Sequence, residues 1–405
     1  MLALDAGNML LHNVPDLARP EYLDLTADAF AEALGLMGYD AANLGSVDAH
    51  LPAGTLRRFA KAAPFPVLSA NLRDAAGAAP FRGSVVRELP GGPVGIFGVA
   101  SSQPLPGSPG KPELAAADPI AAARAAVAEL RPRCRLVIAL SSLGLAEDTR
   151  LAREVPGIDV ILGSSSRTTT NPALVAGSTL ILHAGSKGMR LGRLEIAIGP
   201  GATDAWASRD ITPAAAKTYA WSLVALDAAI PDDPAVAGVL ARLREELRAR
   251  DIEAEVPTPA AVLLAAKAPS PYVGAASCGS CHPADLRWWA GTAHARAFAT
   301  LAAKSQDANR DCLPCHVTAY GEPGGWVRGG AAGVDLAGVQ CEACHGFGRE
   351  HRGTGRIRSR VPEPVCRRCH TAENSPAFEY AEYRRRLAPH AGERRPRGRR
   401  GRPDR

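Results

Sequence analysis

The segment Asp118-Pro119-Ile-Ala-Ala-Ala-Arg-Ala-Ala-Val-Ala-Glu-Leu130-Arg-Pro-Arg-Cys134-Arg-Leu136-Val-Ile-Ala-Leu140 reads as a helix followed by a buried strand. Asp118 suits an N-cap and Pro119 the first helical position, and the alanine-rich run predicts a helix over Pro119 to Leu130. The apolar run Leu136 to Leu140 predicts a strand. The same alternation continues in both directions. Strands are predicted at Leu2 to Asp5, Val67 to Ala70, Val94 to Val99, Val160 to Leu162, Thr179 to His183 and Leu191 to Ile198. Helices are predicted at Ala27 to Leu36, Gly54 to Ala62 and Ala146 to Glu154. Strands alternating with helices are the pattern of an α/β layered sandwich, placed here at residues 1–215.

Residues 216–271 read as one amphipathic helix and a linker. Val236, Val239, Leu240, Leu243 and Leu247 recur at helical spacing, and a segment rich in Pro and Ala follows from 256 to 271. Beyond it lies a different chemistry. Cys-x-x-Cys-His occurs at Cys278, Cys281 and His282; at Cys312, Cys315 and His316; at Cys341, Cys344 and His345; and at Cys366, Cys369 and His370. These motifs use eight of the nine cysteines.

The spacing has a chemical reason. Cysteines three apart on a helical turn face the same way and can both form thioethers to one porphyrin edge, and the adjoining histidine then lies beneath the iron. Structural zinc is the rival, because Cys-x-x-Cys pairs also build tetrahedral thiolate sites. Zinc requires no histidine after every pair, so the motifs predict four covalently bound haem c groups. The proximal ligands are then His282, His316, His345 and His370. A mainly α and irregular multihaem cytochrome c domain is expected over 272–390, with haem replacing much of an ordinary core. Three further histidines, His294, His351 and His390, are the distal candidates. Three cannot cap four irons, so one iron keeps an open sixth position or takes a ligand from elsewhere, with His12, His50 and His183 as distant candidates. Trp288, Trp289 and Trp326 are expected on haem faces or in the core.

This part of the chain resembles the tetrahaem cytochrome c-554 family. The resemblance rests on Tyr272-Val-Gly-Ala-Ala-Ser-Cys278-Gly-Ser-Cys281-His282-Pro, on Cys312-Leu-Pro-Cys315-His316-Val-Thr-Ala-Tyr320-Gly and on Gly338-Val-Gln-Cys341-Glu-Ala-Cys344-His345-Gly. It implies closely stacked haems, mostly bis-histidine with one five-coordinate iron, and periplasmic electron transfer.

The first domain resembles calcineurin-like metallophosphoesterases, in particular 5'-nucleotidases. The stretches that carry this are Leu4-Asp5-Ala-Gly7-Asn8, Asn43-Leu-Gly45-Ser46-Val47-Asp48, Val137-Ile-Ala-Leu-Ser-Ser142-Leu-Gly144, Ile158-Asp159-Val-Ile-Leu-Gly163-Ser-Ser165-Ser-Arg167-Thr168, and Ala184 through Leu194. Such enzymes hold two metals with Asp, Asn and His side chains. Here Asn8, Ser46, Val47, Ser142, Ser165 and Arg167 occupy motif positions, and serine and valine do not ligate zinc or manganese. No dinuclear metal centre is expected. Ser165, Arg167 and Asn8 could line an anion pocket, with a filled-in vestige as the simpler reading.

The net charge of +6 is concentrated at one end. Residues 384–405 hold ten Arg against Glu393 and Asp404, so the other 383 residues sum to −2. The basic tail, placed at 391–405, reads as a solvated, disordered end with an acidic partner as the alternative; no nucleic-acid role follows. No run of about 18 apolar residues exists, so no membrane span is expected. Covalent haem attachment requires export, and residues 2 to 5 read as an internal strand. A signal peptide upstream of Met1 and a periplasmic or otherwise exported location are therefore expected.

Three functions fit. The first is an electron-transferring cytochrome with a catalytically inactive phosphoesterase-like scaffold, served by redox partner proteins. Alternatively the chain is a haem oxidoreductase acting on a small nitrogen or sulfur compound, or a nucleotide or phosphate-ester hydrolase.

Overall fold

A computed structural model describes residues 1–387 apart from 12–16, 18, 104–111, 165–167, 187, 201, 203–204, 213–214, 216, 228, 251–269, 305, 308, 310–311, 323, 328–334, 350, 352–356, 358–359 and 372–373. The candidate residues His12, Ser165, Arg167 and His390, most of the 256–271 linker and the basic tail lie outside the described residues. The chain forms two compact units, Met1–Glu245 and Glu246–Arg405. No helix among the described residues is long and apolar enough to cross a membrane.

From the first unit into the first residues of the second, the elements run β1 (Leu4–Asp5), α1 (Pro20–Leu36), β2 (Ala41–Asn43), α2 (Ala53–Ala62), β3 (Val67–Leu68), β4 (Leu72–Arg73), β5 (Ser84–Leu89), β6 (Gly92–Ala100), β7 (Ala115–Ala116), α3 (Pro119–Leu130), β8 (Leu136–Ser142), α4 (Leu145–Glu154), β9 (Val160–Gly163), β10 (Leu174–Ala176), β11 (Thr179–His183), β12 (Arg190–Ile198), β13 (Ala207–Ser208), β14 (Lys217–Ala225) and α5 (Pro234–Ala249). Asp118 caps α3 by accepting from the Ile120 N–H at 2.9 Å, with Pro119 next in the helix. The helix predicted from Ala27 begins earlier, at Pro20, because proline is tolerated in the first turn.

Six strands form a mixed sheet in the order β10-β11-β9-β8-β6-β5. Its four central strands are parallel and both edges antiparallel. Strand alternation divides the core cleanly. Phe97, Val99, Val137, Ala139, Ile161 and Ile181 face α3 and α4. Ile96, Ile138, Leu140, Val160, Leu180 and Leu182 face the other way, where Trp206, Tyr219, Leu194 and Trp221 from the β12-β14-β13 sheet cover them. A parallel sheet β1-β2-β3 lies beside α1 and α2. The result is an α/β layered sandwich. It includes β14, which pairs with β12 over nine residues, so the α/β domain extends into the 216–271 stretch expected to hold only a helix and linker.

The second unit contains α6 (Gly274–Gly279), α7 (Pro283–Ala290), α8 (Ala297–Ala302), α9 (Leu313–His316), α10 (Cys341–His345), α11 (Glu363–Arg367) and α12 (Tyr380–Arg386), joined by irregular chain. Its one apolar cluster among the described residues centres on Leu301, Leu313 and Val317, with Phe298, Tyr320 and Trp326 packed against it. Helices α7, α11 and α12 bury no residue. So small an apolar core is insufficient for a unit of this length unless another group completes it.

Candidate functional site

Each Cys-x-x-Cys-His motif lies on or at the end of a short helix, which puts its two cysteines on one side. The motifs come together in pairs. The Cys341 thiol is hydrogen-bonded to Cys278, and that bond, then burial, pushes its pKa up. Cys369 is bonded to Cys315 and is likewise raised, while Cys315 is drawn down to about 7. Motifs one and three therefore adjoin, as do motifs two and four. No set of three or more Cys, His, Asp or Glu side chains converges as a metal site among the described residues. Structural zinc would need four such donors around one point.

The histidines form cross-motif pairs. The rings of His282 and His351 have centroids 6.4 Å apart, and those of His370 and His294 are 6.0 Å apart. Metal–nitrogen bonds of about 2.0 Å, with about 1.1 Å from nitrogen to ring centre, put two imidazoles on opposite sides of one ion about 6 Å apart. Both separations suit an iron between the rings. His351 Nδ1 is also buried with no hydrogen-bond partner among the described residues, as expected of a ligating atom whose partner is not a protein group.

Second contacts orient three of the motif histidines. His316 Nδ1 lies 2.8 Å from the Ala297 carbonyl, His370 Nδ1 lies 2.9 Å from Ser375 Oγ, and His282 Nδ1 lies 3.4 Å from the Asp285 carboxylate. The carbonyl and the carboxylate can only accept, which favours a proton on Nδ1 of His316 and His282 and leaves their Nε2 as the lone-pair nitrogen. Phe378 stacks on His370 with centroids 4.8 Å apart. Burial lowers the pKa of His370, and burial followed by the neighbouring His370 lowers that of His294, which favours the neutral imidazole that metals bind. Of the tryptophans, Trp326 belongs to the apolar cluster and the Trp289 indole donates to the Val339 carbonyl at 2.9 Å. Trp288 is half-buried on α7.

Gly338 holds the His294 segment in place. Its φ is +80°, and a Cβ there would lie 2.8 Å from the Ala295 carbonyl oxygen and 3.1 Å from that of His294. Only glycine permits both. Two residues unnoticed in the sequence also matter here, Gln340 and Glu342, both buried. Glu342 is the one acidic residue in any of the four Cys-x-x-Cys spacers, and that was its only visible signal.

In the first unit the strand ends bring Asn8, Ser46, Val47 and Ser142 together. Ser46 Oγ lies 2.8 Å from Ser142 Oγ, the Ser46 N–H donates to Ser142 Oγ at 2.9 Å, and Ser101 N–H donates to Ser46 Oγ at 2.8 Å. Asn8 Oδ1 accepts from the Val47 N–H at 2.9 Å, and Ser164 Oγ donates to the Ala6 carbonyl at 3.0 Å. The Asp48 carboxylate, fully buried, accepts backbone N–H groups from Asn8, Leu10 and Gly45 at 2.7 to 3.0 Å. Its pKa is raised by burial against the pull of these bonds. Burial first, and then the charge of Asp48, raise Asp5 to about 6. The polar groups at this strand end are bonded to one another.

Of the distant candidates, His183 has its Nε2 engaged within the first unit. His183 is fully buried on β11, with Nε2 2.9 Å from an Asp148 carboxylate oxygen whose other oxygen accepts from Ser141 Oγ. His50 Nδ1 lies 3.0 Å from the Ser46 carbonyl oxygen.

Comparison with known proteins follows the same division of the chain. The family model for cytochrome c554 and c-prime matches residues 277–346. Cytochrome c-554 of Nitrosomonas europaea is 36 % identical over 104 residues, 22 % of this chain and 44 % of that protein. A 5'-nucleotidase of Diplobatis ommata is 34 % identical over 155 residues, 36 % of this chain and 26 % of that protein. A solved 5'-nucleotidase precursor from Thermus thermophilus superposes with a TM-score of 0.49 at 26 % identity, covering 61 % of this chain and 50 % of that one. The chain thus spans less than half the length of either curated relative. Its C-terminal part is similar to cytochrome c-554 and its N-terminal part to the 5'-nucleotidases.

Proposed function

We propose that the chain is an exported multihaem c-type cytochrome that passes single electrons through four covalently attached haems. The phosphoesterase-like unit would be a catalytically inactive scaffold or docking surface. The observation that carries this is the pairing of imidazoles from separate segments, His282 with His351 and His370 with His294, at the spacing one iron requires. When bound, haem supplies the one-electron chemistry, and the protein sets its potential through axial ligands, hydrogen bonding and burial.

The residues have separate tasks. Cys278 and Cys281, Cys312 and Cys315, Cys341 and Cys344, and Cys366 and Cys369 tether the four groups. Asp285, the Ala297 carbonyl and Ser375 orient His282, His316 and His370. Thiol contacts between motifs one and three and between two and four support two close pairs of haems, the arrangement rapid internal electron transfer needs. Redox proteins are the partners this reading requires.

Expression with haem-maturation machinery tests it. The mass should rise by four haems and the reduced protein should show a c-type absorption spectrum; fewer than four sinks the count. His351→Ala and His294→Ala should each create one more carbon monoxide-reactive haem than the parent protein. An unchanged number of reactive haems would refute the axial pairing.

One observation favours a second reading. The two pairs use two of the three spare histidines, leaving the irons of His316 and His345 with His390 as the one further candidate in the unit. At least one iron then keeps an open position, suited to reduction or oxidation of a small nitrogen or sulfur compound. Binding of nitric oxide or carbon monoxide by the reduced parent protein is expected, and its failure would leave electron transfer alone. Hydrolysis of nucleotides is disfavoured, because Ser46 and Ser142 stand at motif positions and are bonded to each other. Metal-dependent phosphate release that survives mutation of the haem cysteines would overturn that judgement.

A further inference from the structure

Glu342 lies inside the third Cys-x-x-Cys-His motif and is 3 % exposed. Its Oε1 accepts from Val273 N–H at 3.0 Å and Gly348 N–H at 2.7 Å, and its Oε2 accepts from Gly274 N–H at 2.8 Å. Val273 and Gly274 lead directly into α6, which carries Cys278 of the first motif. Gln340 repeats the connection: its Oε1 accepts from Ala275 N–H at 2.6 Å, and its Nε2 donates to the carbonyls of Asp335 and Ala337 at 3.0 and 2.9 Å. The carboxylate therefore ties the start of motif one to motif three, at the place where the Cys278 and Cys341 thiols meet.

Its solvation is unusual for a buried anion. The partners are backbone dipoles, which stabilise the carboxylate but add no net charge, and no cation pairs with Glu342 among the described residues. The spacer of the fourth motif holds Arg367 and Arg368 instead; Arg368 donates to the Ala343 carbonyl of motif three at 3.0 Å, but both side chains are half-exposed and solvent screens them.

We propose that Glu342 is a positioning residue for the haem pair of motifs one and three, and that its buried negative charge holds this pair at lower reduction potential than the pair of motifs two and four. A nearby anion favours the ferric over the ferrous state, and burial prevents water from screening it. Electrons entering the protein then settle last on the first pair, which gives the four centres a direction. This rests on the haem reading of the motifs.

The test is a spectroelectrochemical titration of full-length holoprotein with Glu342→Gln, which keeps size and one acceptor oxygen but removes the charge. Two of the four one-electron transitions should move upward by about tenfold in equilibrium constant, 59 mV for one electron, while the other two move less than threefold. Glu363→Gln, at a half-exposed carboxylate paired with Arg367, should shift none of them comparably. Four unmoved transitions, or four that move together, overturn the proposal. Should Glu342→Gln bind fewer than four haems, Glu342→Asp decides: potentials within threefold of the parent support the role of the charge, and an upward shift of the pair with the charge retained overturns it. A parent protein that carries no haem by mass refutes the cytochrome reading itself, independently of any variant.

Discussion

Asp5 offers a quantitative check on the electrostatics of the first unit. It ends β1 among close-packed neighbours, accepts one backbone bond from Gly7 N–H at 2.7 Å and lies near the buried Asp48. Burial, and then Asp48, raise its pKa from the ordinary 3.8 to about 6. The sign follows from proton linkage. Between those two values the folded chain holds a proton that the unfolded chain has released, so stability falls as pH rises through the window, and the penalty is complete above about pH 6. At about 1.36 kcal/mol per pH unit, the ionised carboxylate opposes folding by up to about 3 kcal/mol at neutral pH. Asp5→Asn keeps the acceptor for Gly7 and removes the charge. It should stabilise the first unit by up to about 3 kcal/mol at pH 7.5, and leave it within about 0.5 kcal/mol of the parent below pH 4. Cys134 provides the readout, because it is 7 % exposed and is the one cysteine outside the haem motifs. Urea titrations at several pH values, each followed by a pulse of thiol label and mass analysis, report the opening of this unit alone. Parallel pH profiles for the two proteins, or a variant less stable at pH 7.5, would refute the assignment of the penalty to Asp5.

Three further perturbations test other parts of the structure. Asp118→Ala removes the cap on Ile120 N–H and should destabilise the first unit by about 1 kcal/mol in the same labelling assay. Phe97→Ala empties a fully buried site between the sheet and α3 and should lower stability by about 3 to 5 kcal/mol, read as a drop in urea midpoint with unchanged slope. Gly338→Ala forces a side chain into the left-handed region against the carbonyls of Ala295 and His294. It should cost about 1 to 3 kcal/mol in the second unit and raise the high-spin fraction of the haem spectrum, because the His294 carbonyl is tied to Val339 N–H beside that glycine.

Helices were the most legible part of the fold. Pro119–Leu130 carries its cap, its proline and its alanine run in consecutive residues, and it forms with those bounds. The strands Val160–Gly163 and Thr179–His183 were equally visible, since central parallel strands are buried on both faces and read as unbroken apolar runs. Strands with a different environment were missed. Ser84–Leu89 lies at an antiparallel edge with polar residues facing water, and Lys217–Ala225 covers the sheet with one face only. Neither offers a continuous apolar signal.

The haem reading of each motif is wholly local, because attachment of one haem and the choice of its proximal ligand would need only five consecutive residues. Local sequence also shows that Ser46, Val47 and Ser142 bring no zinc- or manganese-ligating side chain to the positions they occupy. Tertiary structure alone decided which motif neighbours which, that His351 faces His282 and His294 faces His370, and that Glu342 is buried between two motifs. Those relations join residues 54 to 76 positions apart, from Cys315 with Cys369 to His294 with His370. No local pattern encodes them, because they arise only when separate segments pack around shared space.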